Sequence, residues 1–195
     1  MVDWVLRPAL ATDVEAVAEL RAVVLRPDLE RLGRYDEQRV RQRLRDGFAP
    51  AHTWMIEVEG AVAGCVALRP AEDAHWLEHF YLDPGVQGRG IGSAVLSRLL
   101  QGCDELVVRL NVLRGSSARR LYERHGFTVE TEDEVDVFMV RHPSPPGGQP
   151  VDSRFRRGDL APEPVGQERA PAAAAISAAA AHRAAVHARV ASVEV

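Results

Sequence analysis

The sequence contains no lysine, and all 24 of its basic residues are arginine. That absence removes the Walker A phosphate loop, which needs a lysine after its glycines. Cysteine is nearly missing too. Cys65 and Cys103 lie far apart, with no CxxC spacing and no neighbouring histidine pair. Neither a metal site nor a disulfide framework is expected, and a reduced, cytoplasmic setting is the default. No apolar stretch approaches the ~20 residues needed to cross a bilayer. The alanine-rich run at 172–181 is weakly hydrophobic and is soon interrupted by His182 and Arg183. The start, Met1-Val2-Asp3-Trp4, lacks the basic residues and apolar run of a signal peptide. Aromatic residues make up only 6% and the net charge is −4. Arginines are dense between Arg31 and Arg45 and recur at Arg154, Arg156 and Arg157, but acidic residues are interleaved with the first group. Neither stacking nor a global field favours nucleic acid, and neither that partner nor a membrane is expected.

What is present is ordinary for a globular protein: 195 residues, 46% hydrophobic and 27% charged. Trp4 to Arg7 reads as a strand ended by Pro8. Thr12 and Glu15 have the spacing of a capping box, ahead of an apolar stripe of Val14, Val17, Ala18, Val24 and Leu25. Pro27 is expected to stop that helix. A second, arginine-rich helix is expected over 36–45, with Gly47 past its end. Thr53–Val58 and Val62–Leu68 read as strands joined by a tight turn at Glu59-Gly60. Trp76–Leu82 is a third strand, broken by Asp83-Pro84-Gly85. Ile91, Ala94, Val95 and Leu99 recur at helical spacing, and Leu106–Val112 is an apolar run typical of a buried central strand. Ser117 is expected to cap a short helix that Gly126 ends, and two strands follow, at 127–130 and 135–140. The result is a mixed α/β layer fold.

At Pro143 the composition changes. Pro143-Ser144-Pro145-Pro146-Gly147-Gly148 is a linker signal, and beyond it large apolar residues become scarce. The expected division is a folded domain over 1–142 and a Pro/Gly/Ala-rich tail over 143–195, disordered or loosely helical.

The informative segment is Leu82-Asp83-Pro84-Gly85-Val86-Gln87-Gly88-Arg89-Gly90-Ile91-Gly92, between a strand and a helix. Glycines there let the backbone bend sharply and approach a ligand. Amides converging at a helix N-terminus form an anion site suited to a pyrophosphate. The glycine spacing is not that of the Rossmann fingerprint.

Gln87-x-x-Gly90-x-Gly92 after Leu82-Asp83-Pro84 resembles the acetyl-CoA signature of the GNAT superfamily of N-acetyltransferases. Leu110-Asn111-Val112, followed by Ala118-Arg119-Arg120-Leu121-Tyr122-Glu123-Arg124-His125-Gly126-Phe127, resembles the later strand–helix segment of that family. The element order agrees over residues 4–141. The resemblance implies a mostly antiparallel central sheet flanked by helices on both faces, with acetyl-CoA as acetyl donor. It implies that the backbone at Tyr81 and Leu82 pairs with the pantetheine arm. It further implies that Gln87, Gly88, Arg89, Gly90, Ile91, Gly92 and Ser93 hold the pyrophosphate. Where the family often has an asparagine, this chain has Gly115-Ser116, and Ser116 stands in as a cofactor contact.

Acetyl transfer needs a neutral amine, donors for the developing oxyanion and a proton for the leaving thiolate. The resemblance makes Tyr122 the general acid. The resemblance also implies a titratable base on the Trp76–Leu82 strand, facing the substrate cleft; strand alternation places Glu78 beside Trp76 on one face, and Glu78 is the first choice. A bulge would bring His79 to that face as the second, and a water chain is a third route. Asn111, at the end of the buried strand, is read either as a substrate contact or as a structural hydrogen-bonding group. The acidic run Glu132, Asp133, Glu134 and Asp136 is read either as an attractor of a cationic amine or as a solvated loop. The expected acceptor is a small-molecule or protein amine. A homodimer is allowed but not specified, and a non-catalytic acyl-CoA-binding protein is the alternative function.

Overall fold

The computed structural model describes residues 3–143. The expected tail over 143–195 therefore lies, but for Pro143, outside the described residues. Seven strands form one sheet: β1 (Trp4–Pro8), β2 (Thr53–Val58), β3 (Ala61–Pro70), β4 (His75–Leu82), β5 (Val108–Leu113), β6 (Thr128–Glu132) and β7 (Asp136–Arg141). Their order is β1-β2-β3-β4-β5-β7-β6. Every neighbouring pair is antiparallel except β4 and β5, which run parallel. Four helices complete the fold: α1 (Val14–Arg31), α2 (Glu37–Gly47), α3 (Ile91–Leu100) and α4 (Ala118–Arg124).

The sheet separates two apolar clusters. On one face, Val17, Ala18 and Leu44 from α1 and α2 bury Met55, Cys65 and Tyr81. On the other, Ile91, Val95, Leu96 and Leu99 from α3 join Tyr122 and Phe127 over Ile56, Val66, Leu77, Leu110 and Met139. α2 is also tied to α1 by ion pairs, Arg41 to Glu19 at 2.6 Å and Arg45 to Glu15 at 2.8 Å.

Three local expectations are corrected. α1 runs through Pro27 to Arg31. The proline is exposed and so is Val23, four residues earlier, so the carbonyl that loses its donor can turn to water. Thr12 and Glu15 do not form the capping box. Asp13 instead accepts from the Leu10 amide at 2.7 Å and pairs with Arg7, while Glu15 reaches Arg45. Ser117 makes no side-chain cap on α4; Ser116 Oγ accepts from the Ala118 amide at 3.4 Å.

Two strand irregularities place the site. Glu78 opposes Ala67 and Tyr81 opposes Cys65, so His79 and Phe80 together face the single residue Val66. This is a β-bulge, and His79 sits in it at φ 50°. The second is that β4 and β5 pair only at His75–Val108 and Trp76–Arg109. Beyond that end, which Arg109 clamps to Asp73 at 2.7 Å and Glu130 at 3.3 Å, the two strands diverge in the middle of the sheet.

Candidate active site

The gap between β4 and β5 opens toward the turn that leads into α3. Asp83 shapes that turn by accepting from the Gly85 amide at 2.8 Å, and Gln87 Nε2 braces it by donating to the Leu82 carbonyl at 2.8 Å. Gly88 and Gly90 take φ values of 74° and 81°, which suit glycine, and a Cβ on either would meet nothing within 4 Å. The turn therefore presents bare backbone to open space. The first helical hydrogen bond of α3 runs from the Ala94 amide to the Gly90 carbonyl. The amides of Ile91, Gly92 and Ser93 thus precede any i−4 acceptor and lie at the positive end of the helix. That donor set fits a diphosphate.

Ser93 and Ser116 are placed differently from the remaining loop residues. Ser93 Oγ and Ser97 Oγ each lie 3.2 Å from His125 Nε2. His125 Nδ1 lies 2.8 Å from the Leu121 carbonyl and so carries the ring proton, which leaves Nε2 to accept from the serines. Ser93 therefore joins α3 to α4 through its side chain and can meet a phosphate through its amide. The Ser116 hydroxyl is engaged in the turn that starts α4.

Tyr122 is buried, packed edge-on against Phe127 at 5.9 Å between ring centres. Its hydroxyl has no hydrogen-bond partner among the described residues. Burial raises its pKa, with the nearby Tyr81 adding to the shift. The phenol is therefore protonated at neutral pH and available as a donor. Tyr81 belongs to the cluster on the α1–α2 face and Tyr122 to that on the α3–α4 face.

On the α1–α2 face, Glu78 is gripped by Arg69 through both carboxylate oxygens, at 2.7 and 3.0 Å. His79 Nδ1 lies 3.3 Å from Tyr81 Oη, and the ring also hydrogen-bonds the backbone of Gly47. Burial, reinforced by the Arg21 charge, pushes the imidazole down to about 4, so His79 is neutral at physiological pH. Tyr81 Oη accepts from Arg21 Nη1 at 2.7 Å. Burial pushes the Cys65 thiol up to about 12, which leaves it inert as a nucleophile.

Asn111 and the acidic run are resolved into separate roles. Asn111 Nδ2 donates to Asp136 Oδ1 at 2.9 Å, and Asp136 is only 2% exposed. Asp133 accepts from the amides of Val135 and Asp136, both at 2.8 Å, and so shapes the β6–β7 turn. The run is neither a uniform solvated loop nor a single attracting patch.

Sequence reasoning singled out neither Arg21 nor Arg69. Arg21 lies on a helix 60 positions from Tyr81, and no local pattern signals that contact. Arg69 reaches Glu78 diagonally across β3 and β4, a relation that needs the strand register.

Residues 49–129 match the acetyltransferase (GNAT) domain family. The N-acetyltransferase YafP of Escherichia coli K12, described as uncharacterized, is 25% identical over 101 residues, 52% of this chain and 59% of that protein. The chain thus spans less than two thirds of that relative's length. Among solved structures, the PaiA N-acetyltransferase of Thermoplasma acidophilum, in complex with coenzyme A, superposes with a TM-score of 0.59 at 19% identity. That match covers 72% of this chain and 99% of the other. The ribosomal-protein-S18-alanine N-acetyltransferase of Escherichia coli superposes with a TM-score of 0.57 at 17% identity, covering 79% and 100%. At these identities the structural likeness is one of fold. Taken with the parallel strands that part in mid-sheet and the glycine turn at the mouth of α3, it agrees with the match of residues 49–129 to the acetyltransferase (GNAT) domain family.

Proposed function

We propose that the chain is an acetyl-CoA-dependent N-acetyltransferase that moves acetyl to a primary amine by direct attack in a ternary complex. The observation that carries the reading is the parting of β4 from β5 after two residue pairs, next to a bare-backbone turn at a helix N-terminus. A groove with unpaired strand edges and a diphosphate cradle at one end suits a long, amide-bearing nucleotide thioester. The Thermoplasma neighbour is described with coenzyme A bound.

In this reading the amides from Gly88 to Ser93 hold the pyrophosphate, while Gln87 keeps the turn braced on β4 and Arg89 flanks it. The backbone at Tyr81 and Leu82 lies along the pantetheine arm. Acetyl-CoA supplies an acyl group activated as a thioester. The amine nitrogen bonds to the acyl carbon, the carbon–sulfur bond breaks, and the sulfur leaves with the bonding pair. Tyr122 gives its proton to that sulfur, supported by a buried phenol ring whose hydroxyl has no competing partner among the described residues. Glu78 takes the amine proton, held in place by Arg69. Asn111, oriented by Asp136, lines the acceptor side.

The alternative of an acyl-CoA-binding protein without turnover has one observation in its favour. Both carboxylate oxygens of Glu78 and both sides of the His79 ring are already engaged. Incubating the protein with acetyl-CoA and a broad panel of amines, and following thiol release, separates the two. The transferase reading requires amine-dependent release. Saturable acetyl-CoA binding without release from any amine supports the alternative.

A further inference from the structure

Arg21 differs from the other inward-facing arginines. Arg7, Arg69 and Arg109 each hold carboxylates at 2.7 Å. Arg21 forms no ion pair among the described residues, and its one side-chain hydrogen bond goes to the neutral Tyr81 hydroxyl. Its Nε is buried and has no acceptor. A buried donor left unsatisfied costs about 1–3 kcal/mol, and more when it carries charge. Such a group is rare in native proteins and marks strain, a functional role, or a place that a water, an ion or a ligand completes.

The surroundings sharpen the point. Arg43 on α2 comes close enough to Arg21 that the two charges disfavour each other, after burial has already lowered the basicity of Arg43. The neighbouring carboxylates do not answer Arg21. Glu78 is held at both oxygens by Arg69, while Asp136 bonds Asn111 and acts on Arg43. His79 is neutral and adds no negative charge. The groups around Arg21 thus leave an electropositive spot with one buried N–H unused. It lies on the α1–α2 face beside Tyr81.

We propose that the acetyl acceptor is a small amine bearing a carboxylate close to its nitrogen, in the manner of a free amino acid, and that Arg21 receives that carboxylate. The inference rests on the acetyltransferase reading above. A guanidinium fork matches a carboxylate in shape and charge, and Arg21 Nε is the donor left for it. In an α-amino acid one carbon separates the nitrogen from the carboxyl group. A carboxylate beside Tyr81 therefore keeps the nitrogen at the gap. An ordinary protein N-terminus has an amide at that position, which would leave the arginine unanswered.

The test uses reaction products, so it does not depend on turnover. The full chain, saturated with coenzyme A, is titrated calorimetrically with N-acetylglycine, N-acetyl-L-glutamate, N-acetyl-L-phenylalanine and N-acetyl-L-arginine, and with the α-carboxamide of each. At least one acid should bind ten-fold or more tighter than its own amide. Arg21→Met should abolish that preference while coenzyme A affinity and thermal midpoint stay near wild type. If Arg21→Met does not fold, the acid-to-amide comparison on the wild type decides alone. Equal or weaker binding of every acid, or a preference that survives Arg21→Met, overturns the inference. Failure of the wild type to bind coenzyme A at all is a different result. It removes the acetyltransferase reading and the inference with it.

Discussion

His79 occupies a backbone conformation that side chains rarely adopt, inside a bulge, with its ring buried and neutral. A histidine held near pKa 4 in the folded state binds fewer protons than in the unfolded chain, where the value is about 6.5. Stability is therefore full above about pH 6.5 and is lost as the pH falls toward 4, by about 3 kcal/mol at most. His75, also lowered by burial, adds in the same direction. Urea unfolding midpoints measured between pH 7 and 4.5 should fall steeply for wild type and less steeply for His79→Gln. Parallel curves would show that the ring is not buried neutral. Tyr122→Phe should slow amine acetylation by about 10²–10³-fold, the scale of a lost general acid, and leave acetyl-CoA affinity nearly unchanged in calorimetry. Unchanged turnover would remove Tyr122 from the chemistry. Glu78→Gln tests the base in the same assay, with a comparable loss expected.

At the scale of elements, the bulge and the opening beside it depend on Gly64. A Cβ there would lie 2.5 Å from the Tyr81 carbonyl and 2.8 Å from Leu82 Cδ2, so β4 would have to move away from β3. Gly64→Ala should lower stability by about 2 kcal/mol or more, as close overpacking does, and should weaken acetyl-CoA binding because Tyr81 and Leu82 line the gap. Thermal melts and calorimetry on the variant check both. Gly90→Ala makes a useful contrast, since its Cβ meets open space and the strain is that of φ 81° alone. It should cost about 1–2 kcal/mol of stability.

The sequence was most legible at this scale. Strand alternation and helical spacing located all seven strands and four helices in order. It was least legible where an element end depends on which of several polar residues wins a backbone donor. Asp13 displaced the Thr12–Glu15 box because Arg7 already holds it beside Leu10, and Ser116 displaced Ser117 as the acceptor at α4. Pro27 failed as a stop because an exposed helix face supplies water to the orphaned carbonyl.

For the whole molecule, glycines in a strand-to-helix turn marked the bare-backbone turn at the mouth of α3, because only backbone conformation is at stake there. The proposed acceptor side was illegible, because the contacts Arg21–Tyr81, Arg69–Glu78 and Asp136–Asn111 join distant elements and depend on tertiary packing. Among the described residues, the two cores are built from residues before 142. A chain ending at residue 146 should therefore unfold cooperatively and bind acetyl-CoA. Loss of cooperative unfolding would make the segment beyond part of the core.

The central claim is that main-chain amides at the mouth of α3 and along the open edge of β4 receive acetyl-CoA. Residue-resolved amide hydrogen exchange with and without saturating acetyl-CoA tests it most directly. The account predicts slowed exchange at Gly88 to Ser93 and near Tyr81 and Leu82, with the outer strand β1 unaffected. Acetyl-CoA binding at saturation with unchanged exchange across those residues would contradict it.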